Sequence, residues 1–322
     1  MVSCAYMGVK KDTRDVIIVM VAAVAMVGVV FSGLFIYSGT WPPFSVVESG
    51  SMQHSDRAEL GVIDTGDMVV VRTPDKHGQI TTYVEGYHTG YRTFGEYGDV
   101  IVYERGGGKN PVIHRPIIWI DYNGDGTWSA PSLANYPHWY IEDPTTKEPI
   151  DDPDYMKMSG KLVLEKIGFS DKAPYLELNP FSASFKESGY ATMGDNPAKN
   201  RNFDQNGVEE MKGRLVTKDM VLYTAGFEIP WVGSLKLYFT GKNVDQIPPN
   251  SIPNIIVSAV CLITILVVLF AFLDWLDTRR PYDEDEEDEE DPHPFISIGE
   301  WLREDSLRCS DEIVQWPGFR RR

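Results

Sequence analysis

Two long apolar runs bracket a region in which apolar residues come only in short bursts. Residues 16–37 run 22 positions without a charge and residues 255–273 run 19. At about 1.5 Å of rise per residue, each can cross roughly 30 Å of hydrocarbon, so both read as membrane-spanning helices. The first exceeds the apolar core of a cleavable leader, which is roughly 7 to 15 residues, and is expected to stay as an anchor. Between the runs the bursts are β-branched and bounded by turn residues: 68–71, 100–103, 112–122 and 215–223. These read as strands. Helical periodicity of useful length is missing there, which predicts a mainly β domain with coiled or partly closed sheets, flanked by two transmembrane α-helices.

Charge orients this arrangement. Lys10, Lys11 and Arg14 precede the first run and no Lys or Arg follows it until Arg57, while Arg279 and Arg280 follow the second. Both flanks place positive charge inside, so both termini are expected in the cytoplasm and the intervening domain outside, in a cell membrane protein with two spans. The expected map is a cytoplasmic N-terminus at 1–15, a first span at 16–37, an external domain at 38–251, a second span at 252–274 and a cytoplasmic acidic tail at 275–322. Cys4, Cys261 and Cys309 all fall outside the external domain. That domain therefore has no disulfide framework and relies on apolar burial. More than half of the net charge of −17 sits in nine consecutive acidic residues, 283–291, which repel one another and read as a solvated spacer. Beyond them Phe295, Ile298, Trp301 and Leu302 have the spacing of a short amphipathic helix. Nothing in the composition points to nucleic acid as a partner.

Residues able to carry chemistry gather in short blocks. They are Glu48-Ser49-Gly50-Ser51-Met52, Gly66-Asp67 and Gly98-Asp99 ahead of apolar bursts, Val112-Ile113-His114-Arg115, Gly194-Asp195-Asn196, and Asp204-Gln205. Amide hydrolysis by a serine needs a hydroxyl, a base and donors aimed at the developing oxyanion, and these blocks hold a candidate for each. In this order they resemble type I signal peptidases of the archaeal and endoplasmic-reticulum kind. Residues 229–239 resemble that family's last segment before its second span, so the likeness covers most of 15–275.

The resemblance implies a membrane-anchored serine endopeptidase with a signal peptidase-like β domain. It would cut signal peptides from exported preproteins after small residues, at Ala-x-Ala-like sites, with no metal or organic cofactor. Ser51 matches the nucleophile, and its own N–H is a natural oxyanion donor. Ser49 matches a second oxyanion-hole hydroxyl, or is an ordinary turn serine. His114 stands where bacterial relatives carry lysine; an imidazole with a pKa near about 6.5 needs less desolvation to act as base than an amine near about 10.4. His54 is the rival base, expected on the lip of the cleft. Asp204 is favoured over Asp195 for orienting His114, although their spacing of nine residues is longer than in relatives. Either carboxylate could instead cap a turn. The substrate is expected to lie extended against a strand near Met52.

Residues 123–190 match the family least and, by their Pro, Asp, Tyr and Trp content, read as a loop-like surface insertion. At its edge Asp121-Tyr122-Asn123-Gly124-Asp125-Gly126 matches the start of a calcium loop, but position twelve is Ser132, and a hairpin turn explains the same residues. Two rival functions stand beside the leading one: a processing peptidase of narrow specificity, and a catalytically silent membrane adaptor that keeps the fold.

Overall fold

The structure, a computed structural model, describes residues 2–168, 173–179 and 186–277. Its strands are β1 (Phe44–Val46), β2 (Met68–Arg72), β3 (Arg92–Thr93), β4 (Glu96–Tyr97), β5 (Ile101–Tyr103), β6 (Val112–Tyr122), β7 (Trp128–Ser129), β8 (Trp139–Glu142), β9 (Gly160–Leu164), β10 (Tyr175–Leu178), β11 (Gly189–Met193) and β12 (Val221–Ile229). Helices are α1 (Val2–Ser38), α2 (Pro74–His77), α3 (Tyr83–Thr89), α4 (Asp204–Gly207), α5 (Val232–Thr240) and α6 (Ser251–Asp277). The chain divides into two compact units at the boundary between Leu262 and Ile263, inside α6; all sheets, core clusters and candidate site residues lie in the first. Ile17–Ser38 and Ser251–Leu273 are long and apolar enough to cross a membrane, and apart from their sheet-side ends at Ser38 and Ser251 they are left largely uncovered by the rest of the protein. The acidic run and the 295–302 segment lie outside the described residues.

The main sheet is antiparallel, in the order β1-β2-β12-β5-β6-β11, with β7 paired to the far end of β6. Its central strands are covered on both faces. Val69, Val71, Val100 and Val102 pack with Met52 and Ile63, while Ile101 and Tyr103 pack with Met211 and Val216. A strand buried on both faces reads as a continuous apolar run rather than an alternating one, which is why 68–71 and 100–103 stand out in the sequence. Each Val or Ile so buried contributes about 1.5–3 kcal/mol. The last turn of α1 is docked on this sheet. The Thr73 N–H donates to the Ser38 carbonyl at 2.9 Å, the Arg72 guanidinium lies 5.1 Å over the Tyr37 ring, and a Cβ at Gly226 would strike the Tyr37 ring.

Both Gly-Asp blocks serve as clamps. Asp67 accepts from the N–H groups of Asp64 and Trp231, each at 2.7 Å, joining the loop after Ser51 to the start of α5. Asp99 accepts from Thr81 N–H at 2.7 Å and Tyr91 O–H at 2.9 Å, and meets His77 Nε2 at 3.0 Å. Gly98 ahead of it adopts a φ of +78°, and a Cβ there would overlap the Thr82 backbone, so only glycine suits this close approach.

Two expectations need correction. The last strand is not 215–223 but β12, further along at Val221–Ile229, because Lys218–Met220 forms a 3-10 turn. The 123–190 segment is not loop-like. It carries β7, a three-stranded sheet in the order β10-β9-β8, and much of the largest core cluster, including Trp128, Tyr136, Leu162 and Leu176. At its edge, Asp121 Oδ1 accepts from Trp119 Nε1 at 2.8 Å, and Asp125 Oδ1 accepts from the Thr127 N–H and hydroxyl. The Asp125 oxygen thus serves the β6–β7 hairpin turn, and that of Asp121 a neighbour within β6.

A buried carboxyl cluster follows the Ser51 turn. Glu59 N–H donates to Asp64 Oδ2 at 2.7 Å and Gly61 N–H to Glu228 Oε1 at 2.6 Å, whereas Asp64 Oδ1 and Glu228 Oε2 are buried with no hydrogen-bond partner. Burial, with the Asp67 and Glu228 charges adding to it, pushes Asp64 up to about 8; burial pushes Glu228 up to about 7. A carboxyl whose pKa rises on folding stabilises the fold fully only below its unfolded value of about 4, and that stability is lost as pH rises through the folded value. Asp64→Asn is therefore expected to raise the melting temperature at about pH 9 and to change it little at about pH 4. Equal shifts at both would show that Asp64 is already ionised in the fold.

Candidate active site

Strand alternation in β6 sorts the two candidate aspartates. Successive side chains of a strand point to opposite faces, so His114 and Arg115 reach different partners. His114, paired with Ile101 of β5, places Nδ1 2.7 Å from Asp204 Oδ2. Arg115, paired with Met193 of β11, grips Asp195 through Nε at 2.9 Å and a terminal nitrogen at 2.6 Å.

Asp204 heads α4 and is buried, as is His114. Its Oδ2 also accepts from the Tyr103 and Thr192 hydroxyls, both at 2.7 Å. As a carboxylate it can only accept, so it selects the tautomer of His114 with hydrogen on Nδ1 and leaves the Nε2 lone pair facing away. Tyr103 and Thr192 were not singled out from the sequence. Their signal is faint: Tyr103 is the only polar tip in the 100–103 run, and a buried tyrosine usually has a partner for its hydroxyl.

Asp195 has a different task. Burial alone would raise its carboxyl, but the Arg115 guanidinium, with His54 close by, holds it below the usual carboxylate range. Arg115, fully buried, also donates to the carbonyls of Thr93, Tyr97 and Gly98. It thus fastens the 93–98 turn to the 194–200 loop. His54 is not on the lip of the cleft: its side chain is buried, with Nε2 3.6 Å from Asp195 Oδ2.

Ser51 sits in a single 3-10 turn, Gly50–Met52. The 194–200 loop holds this turn by its carbonyls. Asn196 donates through Nδ2 to Gly50 O at 2.6 Å and through its N–H to Ser51 O at 2.9 Å, and Asn200 Nδ2 donates to Ser51 O at 2.6 Å. Since a peptide N–H points opposite its carbonyl, fixing Gly50 O also fixes the direction of the Ser51 N–H. Ser51 Oγ lies 3.3 Å from Ser49 Oγ, and among the described residues no hydrogen bond joins it to His114. The two nevertheless border one spot. A Cβ on Gly194 would collide with the Ser51 carbonyl and come within 2.8 Å of His114 Nε2.

Ser49, Ser51 and His114 line one cleft of about 660 Å³. Its apolar lining includes Val71, Val102, Ile113 and Tyr223, and β1, an edge strand of the sheet, forms one side. Met52 corrects an expectation: it lies in the 3-10 turn with its side chain 1% exposed, packed into the core against the sheet, so it offers a substrate no surface. Among the described residues, no group of three or more His, Cys, Asp or Glu side chains is placed to hold a metal ion. No protein-family model, no curated protein and no solved structure matches this chain.

Proposed function

We propose that this chain is a membrane-anchored serine endopeptidase that removes signal peptides from preproteins as they emerge beside a bilayer. The observation that carries the reading is the buried His114–Asp204 pair opening on a cleft that also exposes Ser51. Ser51 Oγ attacks the scissile carbonyl while His114 Nε2 takes its proton and later passes it to the leaving amine. Asp204 stabilises the imidazolium formed between those steps. The Ser51 N–H and the Ser49 hydroxyl face the oxyanion. Apo sites often hold such groups looser than the working complex does, and the Ser51–His114 bond forms when substrate fills the cleft. The substrate lies extended along the free edge of β1, where main-chain pairing gives affinity and the shallow apolar floor selects small side chains.

Both apolar helices span the membrane, with the sheet domain outside and both termini in the cytoplasm. The flanking charges support this orientation. The exposed Leu235, Tyr238 and Phe239 of α5, Phe239 by 90%, suit a helix lying against lipid.

The test is cleavage of a membrane-inserted precursor by the purified full chain, with the product N-terminus sequenced. A cut after a small residue, lost in folded Ser51→Ala, is the expected result. An intact panel of precursors beside folded enzyme would overturn the broad activity and favour a narrow-specificity peptidase or an adaptor.

A further inference from the structure

The turn that carries Ser51 is held from two sides. The 194–200 loop takes its carbonyls, and the second hold comes from the stretch that leads into α6. Asn243 Nδ2 donates to Glu48 O at 2.8 Å. Gly50 N–H donates to Gln246 Oε1 at 3.3 Å. Asn250 exchanges two bonds with Ala58, accepting from its N–H at 2.8 Å and donating to its carbonyl at 2.9 Å. Three amide side chains within eight residues thus run alongside residues 48–58.

Gln246 makes the contact nearest to Ser51. The first N–H groups of any helical turn lack partners within the turn, and Ser49, in the N-cap position, makes no capping bond. Gln246 supplies the acceptor for Gly50. Lys199 Nζ, 3.1 Å from the same oxygen, is a second donor, so the oxygen and not the NH2 of the amide must face the turn. The contact fixes the Ser49–Gly50 peptide plane, as Asn196 fixes the next one. Both planes together set where the Ser49 hydroxyl and the Ser51 N–H point.

The geometry points to Gln246 as a positioning residue for the nucleophile turn, acting through Gly50, so that the segment entering the second apolar helix takes part in aligning Ser51. In its kinetic consequence this inference rests on the peptidase reading above. In its structural consequence it does not.

The test compares full-length wild type, Gln246→Met and Gln246→Glu in lipid nanodiscs. Methionine keeps the length and removes the acceptor, whereas glutamate keeps an oxygen for both Gly50 and Lys199. Hydrogen exchange of the peptide covering residues 48–53 is expected to speed up about tenfold in Gln246→Met and to return toward wild type in Gln246→Glu, with unchanged exchange in β2 and β6. On a precursor, Gln246→Met is expected to lose about tenfold in kcat with KM little changed, because only transition-state alignment is lost, and Gln246→Glu to recover most of it. Unaltered exchange at 48–53 in Gln246→Met, or equal loss in both variants, would overturn the inference. If wild type cleaves nothing while the exchange pattern appears, the peptidase reading fails and the positioning role stands.

Discussion

Ser51→Ala or His114→Ala is expected to lower kcat for precursor cleavage by about 10⁶-fold, and Asp204→Asn by about 10⁴-fold. The hierarchy follows from the geometry. Without Ser51 or His114 no proton leaves a nucleophile. Asn at 204 leaves the contact in place but can donate to Nδ1, which favours the tautomer with hydrogen on Nε2 and blocks that nitrogen as a base. Asp195→Asn is expected to change kcat by less than about tenfold, since Asp195 is bound to Arg115 rather than to His114. Steady-state kinetics on variants with wild-type melting curves decides this. A kcat for Asp195→Asn as low as that of Asp204→Asn would reverse the assignment of the two carboxylates.

Arg115→Met should act on folding instead. It removes a fully buried guanidinium and takes the Arg115 donors away from Asp195 and from the carbonyls of the 93–98 turn. Breaking a buried ion pair on one side costs about 3–5 kcal/mol, or roughly a 10 °C fall in melting temperature for a domain of this size. Arg115→Met combined with Asp195→Leu is expected to regain part of that loss, because the double variant buries no unpaired charge. Thermal unfolding in detergent micelles reads both; additive losses would show that the pair contributes only through separate packing.

Legibility in the sequence tracked burial. Strands covered on both faces announced themselves as β-branched runs; the two apolar helices, exposed in the structure, announced themselves by their length without a charge. Strand β12 did not, because Gly226 sits where the register shifts between Ala225 and Phe227, and that irregularity breaks both the run and the alternation. The three-stranded sheet was hidden for another reason. In β10, Leu176 and Leu178 are buried while Glu177 is exposed, a half-buried pattern only four residues long that polar flanks mask. For the candidate site, His114 and the favoured Asp204 came from a family resemblance, and the structure shows their contact. The helpers of Ser51 could not be read in the same way. Gln246 lies 196 positions from Gly50, and a lone glutamine ahead of an apolar run carries no local signal.

The docked last turn of α1 has a mechanical consequence. The Ser38 carbonyl accepts from Thr73 just past β2 and Tyr37 lies under Arg72, so the sheet cannot swivel on α1 as it would on a flexible tether. With α1 spanning the bilayer as proposed, height above the lipid is then a built-in ruler. On the function proposed above, a precursor would present the bond that lies at cleft level, counted from where its own apolar segment leaves the lipid. Lengthening the 39–43 connection would not extend the reach of the cleft; it would first have to tear the ruler from its mount.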